Sequence, residues 1–204
     1  MTVDPRTLAV YDARSDDYAR MVSAWQTPGL EAFMRAIPRP GHVLDLGCGP
    51  GLDARRMMDA GLTVDAVDAS AAMTAAAQDI GVNARQASFD QIDGTEIYDG
   101  IWANFSLLHA PRDAFSGHLA ALACAMKPGG LLHIGMKLGE GEGRDALGRF
   151  YTYYDEDDLV RHLTKAGFTP ATRFKGVGKG LSGEESPWIW IHATVQTTQA
   201  APHG

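Results

Sequence analysis

The sequence predicts a doubly wound α/β fold, a mostly parallel seven-stranded sheet with helices on both faces and the last strand antiparallel. Three observations carry this expectation. Short apolar runs alternate with amphipathic stretches at βα spacing. A glycine turn, Gly47-Cys48-Gly49-Pro50-Gly51, joins the first such run to a helical stretch. Two acids, Asp45 and Asp68, fall at the ends of the first and second runs, where ligands of such sheets sit.

The elements follow in order. Residues 1–40 read as a helical N-terminal cap. Asp4-Pro5 is an N-cap followed by a first-turn proline. Tyr11, Tyr18, Met21 and Trp25 then recur at helical spacing, with a break near Ser15. Pro28 to Ile37 is a further short helix stopped by Pro38 and Pro40. Residues 41–195 form the main domain. Its strands are expected over 42–46, 62–67, 82–87, 97–104, 131–136, 169–174 and 188–195. Its helices are expected over 52–60, 70–80, 111–127 and 155–166. Gly61, Gly81 and Gly167 close three of these helices, and Pro128-Gly129-Gly130 closes the longest. Residues 138–150 are glycine-rich with mixed charge and read as a loop. Residues 196–204 read as a flexible tail.

Bulk properties narrow the function. The chain has 204 residues, enough for one sizeable core. The formal net charge is −7, without a run of Lys or Arg, which argues against a nucleic-acid partner. Two cysteines, Cys48 and Cys124, form no CxxC pair, and a cytoplasmic location is expected. The start of the chain carries no basic-then-apolar signal pattern. The apolar runs are short and interrupted, so no membrane span is expected. No pair of histidines has metal-ligand spacing, and no metal is expected.

The chemistry concentrates at the glycine turn. Glycines there allow positive φ and close approach of a ligand to the backbone. The helix behind the turn offers free N–H groups. A carboxylate at Asp45 opposes a pyrophosphate but favours an ammonium group. Asp68 lies where a carboxylate accepts both hydroxyls of a ribose. Asp65, by period two, points to the other face of its strand. Together these residues describe a site for a cationic nucleoside that carries no phosphate.

At this point the chain resembles the class I S-adenosylmethionine (SAM)-dependent methyltransferases of the small-molecule type, a Rossmann-like family. Residues 43–51 resemble their first motif, and residues 64–73 resemble their ribose-binding segment. Residues 98–104 with Leu107-Leu108-His109 resemble the fourth-strand motif. Residues 125–132 resemble the turn before the fifth strand. The resemblance implies SAM as the cofactor. It places Asp45, Gly47, Cys48, Gly49 and Gly51 around the methionyl part, and Asp68, Ala69 and Met73 around the nucleoside. Ser88, Phe89 and Asp90 fall at the adenine edge. The common pattern has an acid where Ser88 stands, so either Ser88 or Asp90 takes that role. The resemblance puts Asn104 near the sulfonium and Tyr11 and Tyr18 over the cofactor.

The function implied is methyl transfer to a small-molecule acceptor, by a monomer or a homodimer. Positioning is the main catalytic device for an already activated donor. His109, following the fourth strand on the ligand side, is the candidate general base. Lys137 to Tyr154 is the candidate substrate lid, with Arg149 or Lys137 set to pair an acidic group. Two rival readings remain at this stage. One is a nicotinamide- or flavin-dependent oxidoreductase, against which the turn spacing and Asp45 both speak. The other is a SAM-binding protein that acts through a partner.

Overall fold

A computed structural model describes residues 3–196; of the tail expected over 196–204, residues 197–204 lie outside the described residues. The N-terminal cap is three helices: α1 (Pro5–Ala13), α2 (Ser15–Ser23) and α3 (Leu30–Ala36). The Asp4 carboxylate accepts the N–H of Thr7 and starts α1, as its sequence requires. The expected break falls at Arg14, whose extended φ of −124° separates α1 from α2.

The central sheet is built from β1 (His42–Leu46), β2 (Thr63–Asp68), β3 (Ala84–Gln86), β4 (Tyr98–Asn104), β5 (Met126–Lys137), β8 (Phe168–Lys179) and β9 (Glu185–Val195). Its order is β3-β2-β1-β4-β5-β9-β8. β1 to β5 pair in parallel, and β9 alone runs against its neighbours. The helices between the strands are α4 (Leu52–Asp59), α5 (Ala71–Asp79), α6 (Arg112–Ala125) and α7 (Glu156–Lys165). Ser70 caps α5 by accepting the N–H of Met73, so Asp68 is free of that duty. The strand order reverses between β1 and β4, which places the turn after β1 at the switch point.

The central strands β1 and β4 are buried on both faces, as βα crossovers demand. Leu44, Leu46, Ile101, Ala103, Leu132 and Ile134 pack with Phe115, Leu119 and Leu122 of α6. On the opposite face Val43 and Trp102 pack with Leu30 and Phe33 of α3 and Met57 of α4. Asp45 sits one register step from Val43's neighbours, opposite Trp102, on this second face.

Three expectations need correction. The helix expected to reach Lys127 ends at Ala125, because Met126 already pairs with Tyr98. Pro128-Gly129-Gly130 is then an irregular step within β5 rather than the turn before it, and the register shifts there. The segment 138–150 is not simply a loop. It contains β6 (Glu142–Arg144), paired antiparallel with β7 (Phe150–Thr152). The Asp145 carboxylate closes this hairpin by accepting from the N–H groups of Leu147 and Arg149. Finally, β8 and β9 extend well beyond the expected strands and form a long hairpin past the sheet edge.

Candidate active site

A cavity of about 390 Å³ opens beyond the carboxyl ends of β1, β4 and β5. A second pocket, of about 60 Å³, adjoins it and shares Tyr11, Tyr18, Gly47, Gly49, Asn104, Phe105 and His109 with it. The glycine turn lies where the two meet. Gly47 has φ +77°, and a Cβ there would stand 2.3 Å from the Cβ of Ser106. Only glycine allows that approach between the ends of β1 and β4. Gly51 has a different role. It lines neither cavity, and a Cβ on it would lie 2.7 Å from that of Ala77, so it seats α4 on α5.

Asp45 is the main electrostatic feature of the large cavity. It is 2 % exposed, and its Oδ2 has no hydrogen-bond partner among the described residues. Burial pushes its carboxyl well above the usual carboxylate range, and the nearby Asp53 and Asp68 push the same way. Asp53 differs in being fully engaged. It accepts from Thr27 Oγ1 (2.8 Å), Arg56 Nη1 (3.1 Å) and Trp102 Nε1 (3.2 Å), and so ties the segment before α3 to α4. A buried carboxylate with one oxygen unpaired is costly alone and becomes favourable beside a cation.

The small pocket is lined by Asp68 and a group of apolar side chains. The Asp68 carboxylate accepts the N–H of Gly49 and that of Ser70, both at 2.9 Å. These bonds fix its plane and leave acceptor capacity facing the pocket. Ala69, Met73, Ala87 and Phe89 provide the apolar walls. Asp65 points the other way, toward Tyr98 Oη (3.0 Å), as the strand period requires.

Above the cavity, α2 buries no residue fully, yet Tyr18, Met21 and Val22, with Trp25 just beyond it, all face the space. The β6–β7 hairpin closes the side. It docks on α1 through Arg144 on Asp4 (2.7 Å) and through Phe150 N–H on Thr7 Oγ1 (2.8 Å). Arg149, 2 % exposed, donates to Asp145 Oδ2 from Nε (2.9 Å) and Nη2 (2.6 Å). Its Nη1 donates to Tyr11 Oη (2.8 Å).

Tyr11 in turn meets His109. Nδ1 of His109 lies 2.6 Å from the carbonyl oxygen of Phe150. A carbonyl only accepts, so Nδ1 bears the proton of the neutral ring. Nε2 is then an acceptor, and Tyr11 Oη donates to it across 2.9 Å. Burial pushes the His109 imidazole down to about 4, with the Arg149 charge acting in the same direction and the Phe150 carbonyl opposing. His109 is therefore neutral at physiological pH, with both ring nitrogens engaged.

Most of the residues singled out from sequence come together here. Tyr11, Tyr18, Asp45, Gly47, Cys48, Gly49, Asn104 and His109 line the large cavity, and Asp68, Ala69, Met73 and Phe89 line the small one. Ser88 and Asp90 line neither. The Ser88 hydroxyl lies within hydrogen-bond reach of Asp90 Oδ1 (2.7 Å) and Gln91 Oε1 (3.0 Å), inside the capping box of a single 3-10 turn. Ala87, just before them, faces the pocket instead. Residues not anticipated are Asp53, Trp102, Phe105, Trp188 and the tip of the β8–β9 hairpin around Lys179 to Leu181. Phe105 carried a signal only visible in the backbone. It has φ +55°, a strained conformation for a non-glycine residue, at the mouth of both pockets.

Residues 43–130 match the family model described as a methyltransferase domain. Among curated proteins, the malonyl-[acyl-carrier protein] O-methyltransferase of Enterobacter lignolyticus is 30% identical over 135 residues. That stretch is 64% of this chain and 53% of the relative, so the chain spans about half the length of the curated relative it matches. Among solved structures, the Burkholderia thailandensis 1,6-didemethyltoxoflavin-N1-methyltransferase, with S-adenosylhomocysteine bound, has a TM-score of 0.69 and 24% identity. It covers 93% of this chain and 88% of its own. The [4+2]-cyclase SpnF has a TM-score of 0.72 at 16% identity, covering 96% of this chain and 98% of its own. These likenesses establish the fold, and the second shows that the fold does not by itself fix the reaction.

Proposed function

We propose that this chain is a SAM-dependent methyltransferase acting on a small-molecule acceptor. The observation that carries the reading is the unpartnered Oδ2 of Asp45, buried beside Asp53 and Asp68 at a glycine turn. A cation with a nucleoside attached satisfies that oxygen and the Asp68 carboxylate together. A dinucleotide would bring phosphate negative charge against Asp45. When bound, SAM supplies a methyl group on a sulfonium, which leaves for an acceptor lone pair while the carbon–sulfur electron pair stays on sulfur.

The chain's own residues supply binding, alignment and exclusion of water. Asp45 and the glycine turn take the ammonium end. Asp68 takes the ribose hydroxyls, and Met73 with Phe89 flanks the base. Tyr18, Trp25 and Trp188 surround the acceptor space with apolar surface that lowers the local dielectric. Tyr11 is the group that faces an acceptor proton. His109 acts through it, because its Nε2 is turned to the Tyr11 hydroxyl rather than to the cavity. With its Nε2 engaged and its basicity lowered by burial and Arg149, His109 serves to position the Tyr11 hydroxyl rather than to act as the base.

The test has two parts. Asp68→Ala should lower SAM affinity by calorimetry about ten- to hundredfold, the loss of hydrogen bonds to a charged group, while the fold stays intact. Incubation of the wild type with SAM and a panel of small acceptors should release S-adenosylhomocysteine. Unchanged affinity in the variant removes Asp68 from the site, and tight SAM binding with no turnover on any acceptor favours a binding protein.

A further inference from the structure

The large cavity holds a second charge, of opposite sign to Asp45, that has no ion-pair partner among the described residues. Lys137 ends β5 on the ligand side and lines the cavity. Its ammonium stands 4.3 Å from the centre of the Tyr151 ring. No carboxylate pairs with it among the described residues. The nearest acid of the hairpin, Asp145, is already taken by Arg149 through two hydrogen bonds. Burial and the Arg149 charge both disfavour the Lys137 ammonium, against weaker support from Asp145 and Glu184. Lys179, at the hairpin tip, lines the same space and also forms no ion pair among the described residues. The sequence had offered Arg149 and Lys137 equally as partners for an acidic group. The structure separates them: Arg149 is a structural cation, and Lys137 is the available one.

Resting on the methyltransferase reading, we infer that the acceptor carries an anionic group, a carboxylate or phosphate, held by Lys137, with an apolar or aromatic body. Phe105, Trp188, Tyr151 and Trp25 provide the surface for that body. The cavity then accommodates two ligands by charge: the cationic donor at Asp45 and the anionic acceptor at Lys137. The ammonium is compact and has three donors, so it takes either oxyanion as a point charge without demanding a fixed bidentate geometry.

The test uses the protein loaded with S-adenosylhomocysteine and ligand-observed NMR. The probes are benzoate and phenyl phosphate, with benzamide and phenol as neutral counterparts. At least one acid should bind about ten- to hundredfold tighter than its neutral counterpart, and the better of the two identifies the anion class. Lys137→Met should abolish that preference and Lys137→Arg should retain it. Both variants should bind S-adenosylhomocysteine as the wild type does. The inference is overturned if neither acid outbinds its counterpart, if Lys137→Met keeps the preference, or if it weakens S-adenosylhomocysteine instead, which would assign Lys137 to the donor. Failure of the wild type to bind S-adenosylhomocysteine is read separately and counts against the methyltransferase reading itself.

Discussion

Asp45→Asn should move stability and ligand affinity in opposite directions. In the free protein the Asp45 carboxyl is buried, has an unpaired Oδ2, and lies near two other acids. Its pKa is raised, so the stability it contributes is full below the usual carboxylate value near 3.8 and is lost as pH rises through the elevated value. Asparagine of the same shape removes the charge. Its side-chain oxygen retains the Ala54 N–H contact that partly supports Asp45. The free variant should therefore be as stable as the wild type or more stable at neutral pH, by about 1–3 kcal/mol, the cost of an unsatisfied buried group. The same change removes a charge-assisted bond to the ligand's ammonium, about 1.5–3 kcal/mol, or ten- to hundredfold in affinity. The sign of the pH dependence follows. Wild-type affinity should rise with pH up to the elevated pKa and level off above it, because the ligand favours the ionised carboxyl. Urea unfolding gives the first quantity and calorimetry with S-adenosylhomocysteine across pH gives the second. A variant that is less stable yet binds with unchanged affinity and pH profile would refute the reasoning.

Three further outcomes are expected. Arg149→Met leaves the Asp145 carboxylate buried without its cation and should cost about 3–5 kcal/mol in urea unfolding; adding Asp145→Asn should recover much of it, and no recovery would mean that packing, not charge, dominates. Gly51→Ala forces a side chain into φ +79° and against Ala77, and should cost about 1–3 kcal/mol by thermal unfolding, with little change there meaning that α4 and α5 are not as close as described. The His109 ring, followed by NMR, should titrate near 4, so that its stability contribution is present above 6.5 and lost as pH falls through about 4; a midpoint at or above 6.5 would contradict its burial against Tyr11 and Phe150.

The fold was largely legible because its signals are local. Apolar runs, helix caps and closing glycines are set by near neighbours in sequence, and the Asp4 and Ser70 caps form as their side chains dictate. The errors arose where partners distant in sequence decide the outcome. Met126 joins β5 because Tyr98 lies beside it, and the 138–150 segment is held against α1 by Asp4 on Arg144 and Thr7 on Phe150. The convergence of Asp45, Asp68, Gly47 and Gly49 on adjoining cavities was equally legible, since they share two βα turns. Ser88 and Asp90 bond within their own turn, because polar residues just after a strand serve as caps as readily as ligand contacts. The rest of the large cavity was hidden. Asp53, Trp102, Trp188 and the β8–β9 tip meet only in three dimensions, and nothing in sequence distinguishes the paired Arg149 from the unpaired Lys137.

On the methyltransferase reading, Asp45 and Asp68 together hold a cationic nucleoside at the turn after β1. A crystal structure of the wild type with S-adenosylhomocysteine tests it most directly. The account predicts the ligand's amino group at Asp45 Oδ2, its ribose hydroxyls on the Asp68 carboxylate, and its sulfur directed toward the space lined by Tyr11 and Asn104. A ligand seated elsewhere, or one whose amino group leaves Asp45 Oδ2 unpaired, would contradict it.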